Sequence, residues 1–174
     1  MDLMIDIETL ATGPDAMVMT IAAQAFDPTS TGWPERHFYA RVTPESQVDR
    51  KVDDATIDWW SKQGPEAQRE VFEDVGRRDL HECLDELGKL IWNSNRVWAN
   101  GICFDMNILE HCYKSQGITL PWKFWAVRDA RTVYALWPDL PQPKSASHHA
   151  LDDCKRQIKM LQDCIKHLGI NKLK

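Results

Sequence analysis

No stretch of this 174-residue chain approaches the roughly 20 consecutive apolar residues that a membrane-spanning helix requires. That absence argues against a membrane-spanning helix. Met1 to Asp6 also lacks the basic flank and long apolar run of a secretory signal, so the expected location is the cytoplasm. Paired cysteines are missing as well. Cys83, Cys103, Cys112, Cys154 and Cys164 are odd in number and scattered, with no CxxC, which argues against a disulfide framework or a zinc knuckle. They read as reduced thiols packed like small apolar residues. Nor is there an excess of basic charge: Lys plus Arg number 21 against 26 Asp plus Glu, giving a net charge of −5. This charge balance argues against a histone-like coat protein and a polybasic membrane anchor. No internal repeat or low-complexity tract is visible.

What is present is ordinary globular composition, 43% hydrophobic and 27% charged, in a length that predicts one domain over residues 1–174. Such a chain buries about 70% of its unfolded surface and needs no staples. Leu3 to Ile7, Val18 to Phe26 and His37 to Val42 read as strands joined by short turns, an antiparallel meander. After Pro44 the pattern changes. Asp53 or Asp54 caps a helix carrying Ile57, Trp59 and Trp60, which Gly64-Pro65 ends. Leu80, Cys83, Leu84, Leu87, Leu90 and Ile91 recur at helical spacing. Arg96 to Asn100 is a short buried strand, and Phe104, Ile108, Leu109 and Cys112 form the next helical face, closed by Gly117. Phe124 to Val127 reads as a strand, Asp129 as the cap of a short helix, and Pro138 to Ser147 as the one substantial loop. A last helix runs from about His149 to Leu168. Strands first, then alternating helix and strand, predict an α/β fold with a mixed central sheet flanked by helices.

Three acidic segments stand out. Asp6 and Glu8 lie two apart on an otherwise apolar strand, so both carboxylates share one face of the sheet. Crowded there, they cost several kcal/mol unless a cation lies between them. Asp105 opens a helix just after a strand end, where α/β sheets present functional side chains and where a simple capping acid is also at home. His148 sits at the mouth of the proline-bearing loop, and Asp153 follows about one and a half turns into the last helix. Four acids from three segments form an all-oxygen donor set, which selects Mg²⁺ or Mn²⁺ over zinc. Two such ions clamp the attacking and leaving oxygens of a phosphoryl displacement.

These segments resemble the three motifs of the DEDDh branch of the DnaQ-like 3′–5′ exonucleases, on an RNase H-like fold. Met4 to Thr9 looks like the first motif, Asn100 to Asp105 like the second, and His148 to Asp153 like the third. His149 occupies the place where the sister branch carries tyrosine, which supports the histidine branch. Thr56 to Gln63 and Lys123 to Thr132 are similar to segments of the phage exonuclease A group and of the Rv2179c-like exoribonucleases. The resemblance covers Met4 to about Leu161. It implies that Asp6, Glu8, Asp105 and Asp153 hold two ions, Mg²⁺ or Mn²⁺, and that His148 takes a proton from the attacking water. The implied substrate is single-stranded DNA, with RNA as the alternative, bearing a free 3′ end and released as nucleoside monophosphates; a homodimer is left open and a membrane partner is not expected. Candidate substrate contacts are Thr9, Leu10, Trp59, Trp60 and Arg128. One departure concerns Leu10 to Gly13, which is not the Thr-Gly that often follows directly after the first motif. Trp59 and Trp60, adjacent on a helix, point about 100° apart, so one is expected in the core and the other toward the substrate.

Overall fold

The computed structural model describes residues 1–141 and 148–173. Six strands form one mixed sheet in the order β4-β3-β2-β1-β5-β6. They are β1 (Asp2–Thr9), β2 (Val18–Phe26), β3 (His37–Val42), β4 (Arg77–Arg78), β5 (Val97–Ala99) and β6 (Val127–Asp129). The first three make the antiparallel meander that their alternation and short turns dictate. β5 then lies parallel beside β1, and β6 parallel beside β5. Parallel neighbours need crossover connections, and helices supply them. The crossovers contain α1 (Asp54–Ser61), α2 (Pro65–Phe72), α3 (Leu80–Trp92) and α4 (Asp105–Ser115), while α5 (Ala130–Tyr134) and α6 (Ala150–His167) follow the last strand.

Period-two alternation divides the core between the two faces of the sheet. Leu3, Ile5, Ile7, Ile21, Ala23 and Val97 pack with the apolar stripes of α3 and α4. On the other face Met4, Ala22, Phe26 and Trp98 meet Ala150, Cys154, Ile158, Leu161 and Ile165 of α6. A third cluster, Leu10, Met19, Trp60, Ala67 and Val71, fastens α1 and α2 to the end of the meander.

Several expectations change in the folded chain. Phe124–Ala126 is a 3₁₀ turn rather than the start of a strand, and pairing begins only at Val127. Phe124 and Trp125 are exposed, so nothing apolar holds them extended. Gly64-Pro65 ends α1 but also begins α2, with Pro65 in the first turn, where its missing N–H costs nothing. Asp53 occupies the N-cap of α1 without a side-chain capping bond. The two-residue β4 had no signal in its own sequence. Residues 142–147, most of the expected Pro138 to Ser147 loop, lie outside the described residues. Among the described residues, no helix is long and apolar enough to cross a membrane.

Candidate active site

Since Leu3, Ile5 and Ile7 turn toward α3 and α4, Asp6 and Glu8 face the α6 side in line with Met4. A β-bulge follows immediately, where pairing jumps from Glu8↔Thr20 to Thr9↔Val18. It ends regular pairing just beyond the second acid. Beside Asp6 on β2 stands Ala22, and this small residue lets α6 come down close to the sheet. Cys154 Sγ lies 3.5 Å from the carbonyl oxygen of Met4. On the same helical stripe, Asp153 and Gln157 reach the acids. Gln157 Nε2 donates to Asp6 Oδ1 at 2.7 Å.

Asp105 arrives from the opposite direction. β1 and β5 pair only through Leu3↔Val97 and Met4↔Trp98, then diverge. The Ile7 amide on the diverging edge donates to Asp105 Oδ1 at 3.3 Å. Phe104, not Asp105, holds the N-cap of α4, and the Asp105 carboxylate is held by its own backbone amide as well as by that of Ile7 on β1. The turn that delivers it depends on Gly101, whose φ of 116° suits only glycine.

Glu8, His148 and Asp153 offer ligand atoms that all lie within 4.8 Å of one another. His148 has a φ of 53°, a left-handed conformation that costs a non-glycine residue about 1–3 kcal/mol and needs its surroundings to hold it. Its ring meets Trp59 and Trp60 edge-on, at centroid distances of 5.1 and 5.8 Å. The two tryptophans divide as expected: Trp60 is 2% exposed and Trp59 44%. Trp60 Nε1 donates to the carbonyl oxygen of Thr9 at 2.9 Å, which ties α1 to the residue after Glu8. Glu8, Thr9, Asp53, Trp59, Trp60 and Phe104 line a cleft of about 470 Å³, an ordinary volume for a small-ligand pocket.

Three of the acids here have their carboxyls raised, chiefly by burial. Burial, followed by repulsion from Asp105, drives the Asp6 carboxyl well above the carboxylate range, against the pull of the Gln157 hydrogen bond. Glu8 is raised in the same sense by burial and then by Asp6, Asp153, Asp105 and Glu70. Burial pushes Asp105 up to about 7 although the Ile7 amide opposes it. Arg156 pairs with Asp153 at 3.1 Å, and Arg131 adds a cation near Asp105. Two arginines do not balance four acids. Thr20 Oγ1, opposite Glu8, and Gln157 Oε1, beside Asp6, are buried without a hydrogen-bond partner among the described residues. Crowded carboxylates with unsatisfied oxygens beside them fit hard divalent cations and their water.

Two sequence candidates lie elsewhere. The Leu10 side chain is buried in the α1–α2 cluster with Met19 and Val71. Arg128 donates from Nη1 to the carbonyl oxygens of Trp125 and Val127, at 2.5 and 2.9 Å, and does not line the cleft. Conversely, sequence reasoning passed over Gln157 and Arg156. Their spacing from Asp153, four and three residues along a helix, was the available signal.

The mixed sheet, with acids brought together from β1, α4 and α6, has the RNase H-like fold seen in DEDDh nucleases. The family model of the Rv2179c-like 3′-5′ exoribonuclease domain matches residues 1–165, and the chain belongs to that family of 3′–5′ exonucleases. It is 28% identical over 204 aligned positions to the exodeoxyribonuclease of Enterobacteria phage T4, covering 95% of this chain and 89% of that protein. Among solved structures, the nuclease domain of 3′hExo, a DEDDh family member bound to rAMP, has a TM-score of 0.69 at 14% identity, covering 99% of this chain and 94% of that one. Exonuclease X in complex with 5′-overhanging duplex DNA gives 0.58 at 16% identity, with coverages of 97% and 93%. The Mg²⁺- and Mn²⁺-bound form of S. pombe Pop2p gives 0.59 at 12%, with coverages of 99% and 86%.

Proposed function

We propose that residues 1–174 form one exonuclease domain that removes nucleoside monophosphates from the 3′ end of single-stranded nucleic acid. The observation that carries this is the meeting of Glu8, His148 and Asp153 within 4.8 Å, beside Asp6 and Asp105 and at the edge of an aromatic cleft. In this reading Asp6, Glu8, Asp105 and Asp153 hold two divalent ions, Mg²⁺ or Mn²⁺. Such ions would supply the positive charge that offsets a phosphodiester's negative oxygens during displacement.

The chain's own groups do the rest. His148 accepts the proton of the attacking water, and its edge contacts with Trp59 and Trp60 restrict the ring to one direction. Gln157 holds the Asp6 carboxylate by one oxygen and leaves the other to the site. The half-exposed face of Trp59 offers a stacking surface for a terminal base, worth roughly 1–3 kcal/mol and indifferent to its identity.

DNA is the first substrate, on the similarity to the phage exodeoxyribonuclease along 95% of the chain. RNA is the second, on the family's description as exoribonucleases. Matched end-labelled DNA and RNA oligonucleotides, each blocked at the 3′ or the 5′ terminus, separate these with Mn²⁺ or Mg²⁺ present and an Asp6→Ala control. Mononucleotide release from the 5′-blocked strands alone is expected. Equal cleavage of the 3′-blocked strands, or internal fragments, would contradict the proposal.

A further inference from the structure

Across the sheet, the residues in line with the acids form a second polar group. Asp6 is in register with Ala22 and then Tyr39, and Glu8 with Thr20 and then Arg41, all on the α6 face. Two strand spacings put Tyr39 and Arg41 about 10 Å from the acids. Above them α2 places Glu70, which is 3% exposed. The Tyr39 hydroxyl donates to Glu70 Oε1 at 2.7 Å, and Arg41 Nη2 lies 3.3 Å from Oε2. Arg41 is itself fixed by Glu73 at 3.0 Å. Glu70 Oε2 is 3.8 Å from His149 Nε2, and the His149 ring stacks on Tyr39 at 5.1 Å, nearly parallel. His149 is the N-cap of α6, and its carbonyl oxygen accepts from the Asp153 amide at 2.9 Å.

A buried acid–arginine pair is a poor stabiliser, since apolar residues of similar volume often serve the fold as well. Glu70 also adds to the repulsion at Glu8, so it works against the unliganded site. Its placement nonetheless fits one task. His148 has a left-handed backbone, and a strained residue persists only where its surroundings hold it in place. Trp59 and Trp60 hold its ring; the Tyr39–Glu70 pair holds the residue that follows it.

We propose that Glu70, fixed by Tyr39 and Arg41, is a positioning residue that anchors His149 at the start of α6 and thereby sets the direction of the His148 imidazole. The inference rests on His148 being the base of the exonuclease reaction. Glu70 does not line the cleft, so its loss should act on turnover and not on substrate affinity.

At saturating Mn²⁺, Glu70→Gln is expected to lower kcat about 10–100-fold, the usual effect of losing an outer-shell partner, and to leave KM unchanged. In a His148→Ala background the same substitution should cause no further loss, because the group it positions is gone. Hydrogen exchange gives a readout independent of activity: the Asp153 amide should lose protection in Glu70→Gln while the amides of α3 keep theirs. Tyr39→Phe keeps the ring against His149 and removes only the hydroxyl that holds Glu70. It should show the same pattern at smaller amplitude, and it takes the place of Glu70→Gln if that variant does not fold. An equal fold-loss in both backgrounds, a change confined to KM, or unchanged protection at Asp153 would overturn the proposal. A His148→Ala enzyme as active as the parent would overturn the underlying reading, and it is distinguishable because it leaves Glu70 untouched.

Discussion

At the scale of single residues, the site is built from groups that the fold would be more stable without. Asp6 is held above its ordinary pKa mainly by burial and by Asp105, so its charge opposes folding when no cation is present. Asp6→Asn preserves the oxygen that accepts from Gln157 and removes that charge. We expect the variant to lose nearly all turnover while its metal-free form resists urea better than the parent. Reduced stability together with retained activity would make Asp6 a structural acid. Trp60 tests the opposite case, a residue that serves both fold and site. Trp60→Phe keeps an aromatic ring but removes the indole N–H that reaches Thr9 and part of the buried ring volume. It should cost about 1–3 kcal/mol in denaturant unfolding and also lower turnover, since Thr9 directly follows Glu8.

Among the elements, those with complete local signals came out at or within one residue of their expected limits. Val18–Phe26 and His37–Val42 alternate cleanly between turn residues, and their strands have those bounds. α6 runs from Ala150 to His167, one residue inside the expected His149 to Leu168 at each end, because its apolar stripe at 154, 158, 161 and 165 has no rival arrangement. Where two principles competed, sequence reading failed. Phe124 and Trp125 are good strand formers, yet with no sheet neighbour or core beneath them they coil into a 3₁₀ turn. Gly64-Pro65 stops one helix and starts the next, and only the burial of Ala67 and Val71 reveals the second role. The element that delivers Asp105 can be tested through Gly101. A methyl group there meets Arg131 only at ordinary contact distance, 3.5 Å, so the penalty is backbone strain at a φ of 116°. Gly101→Ala should destabilise by about 1–3 kcal/mol and depress activity as Asp105 shifts from the Ile7 amide. Thermal unfolding and turnover, measured together, check this.

On the scale of the whole molecule, the crowded acids make stability depend on pH and on metal in a linked way. Asp105 moves from an ordinary 3.8 to about 7 on folding, and Asp6 and Glu8 are raised in the same direction. Between pH 4 and about 7 the native state therefore holds more protons than the unfolded chain, so stability falls as pH rises through that window. The metal-free protein should melt higher at pH 5 than at pH 7.5. Divalent ions bind the deprotonated carboxylates, so added Mn²⁺ should raise the melting temperature more at pH 7.5 than at pH 5. At about 100 times its dissociation constant, an ion bound only by the native state adds about 2.7 kcal/mol. Identical melting curves at the two pH values would mean that these carboxyls are not raised. Activity should vanish in excess EDTA and return with Mg²⁺ or Mn²⁺ but poorly with zinc, as an all-oxygen donor set requires.

The sequence by itself determined the chemistry on offer: which acids share a strand face, which lie on helices, and which histidine precedes the last helix. These are consequences of the periods 2.0 and 3.6, which act over a few residues and need no tertiary partner. It likewise determined the order of the longer strands and helices, with α2 and β4 missing from it, and so the mixed character of the sheet. Tertiary structure alone decided which side chains meet. Gln157 reaches Asp6 across 151 positions of chain, Asp105 takes an amide 98 positions away, and Glu70 faces His149 from a helix that no local pattern linked to the site. Each contact depends on how closely two elements approach, and that distance is set by packing volumes such as Ala22 beneath Cys154. Arg128 shows the same limit from the other side. Its charge suited a phosphate, but its backbone position committed the guanidinium to the carbonyls of Trp125 and Val127.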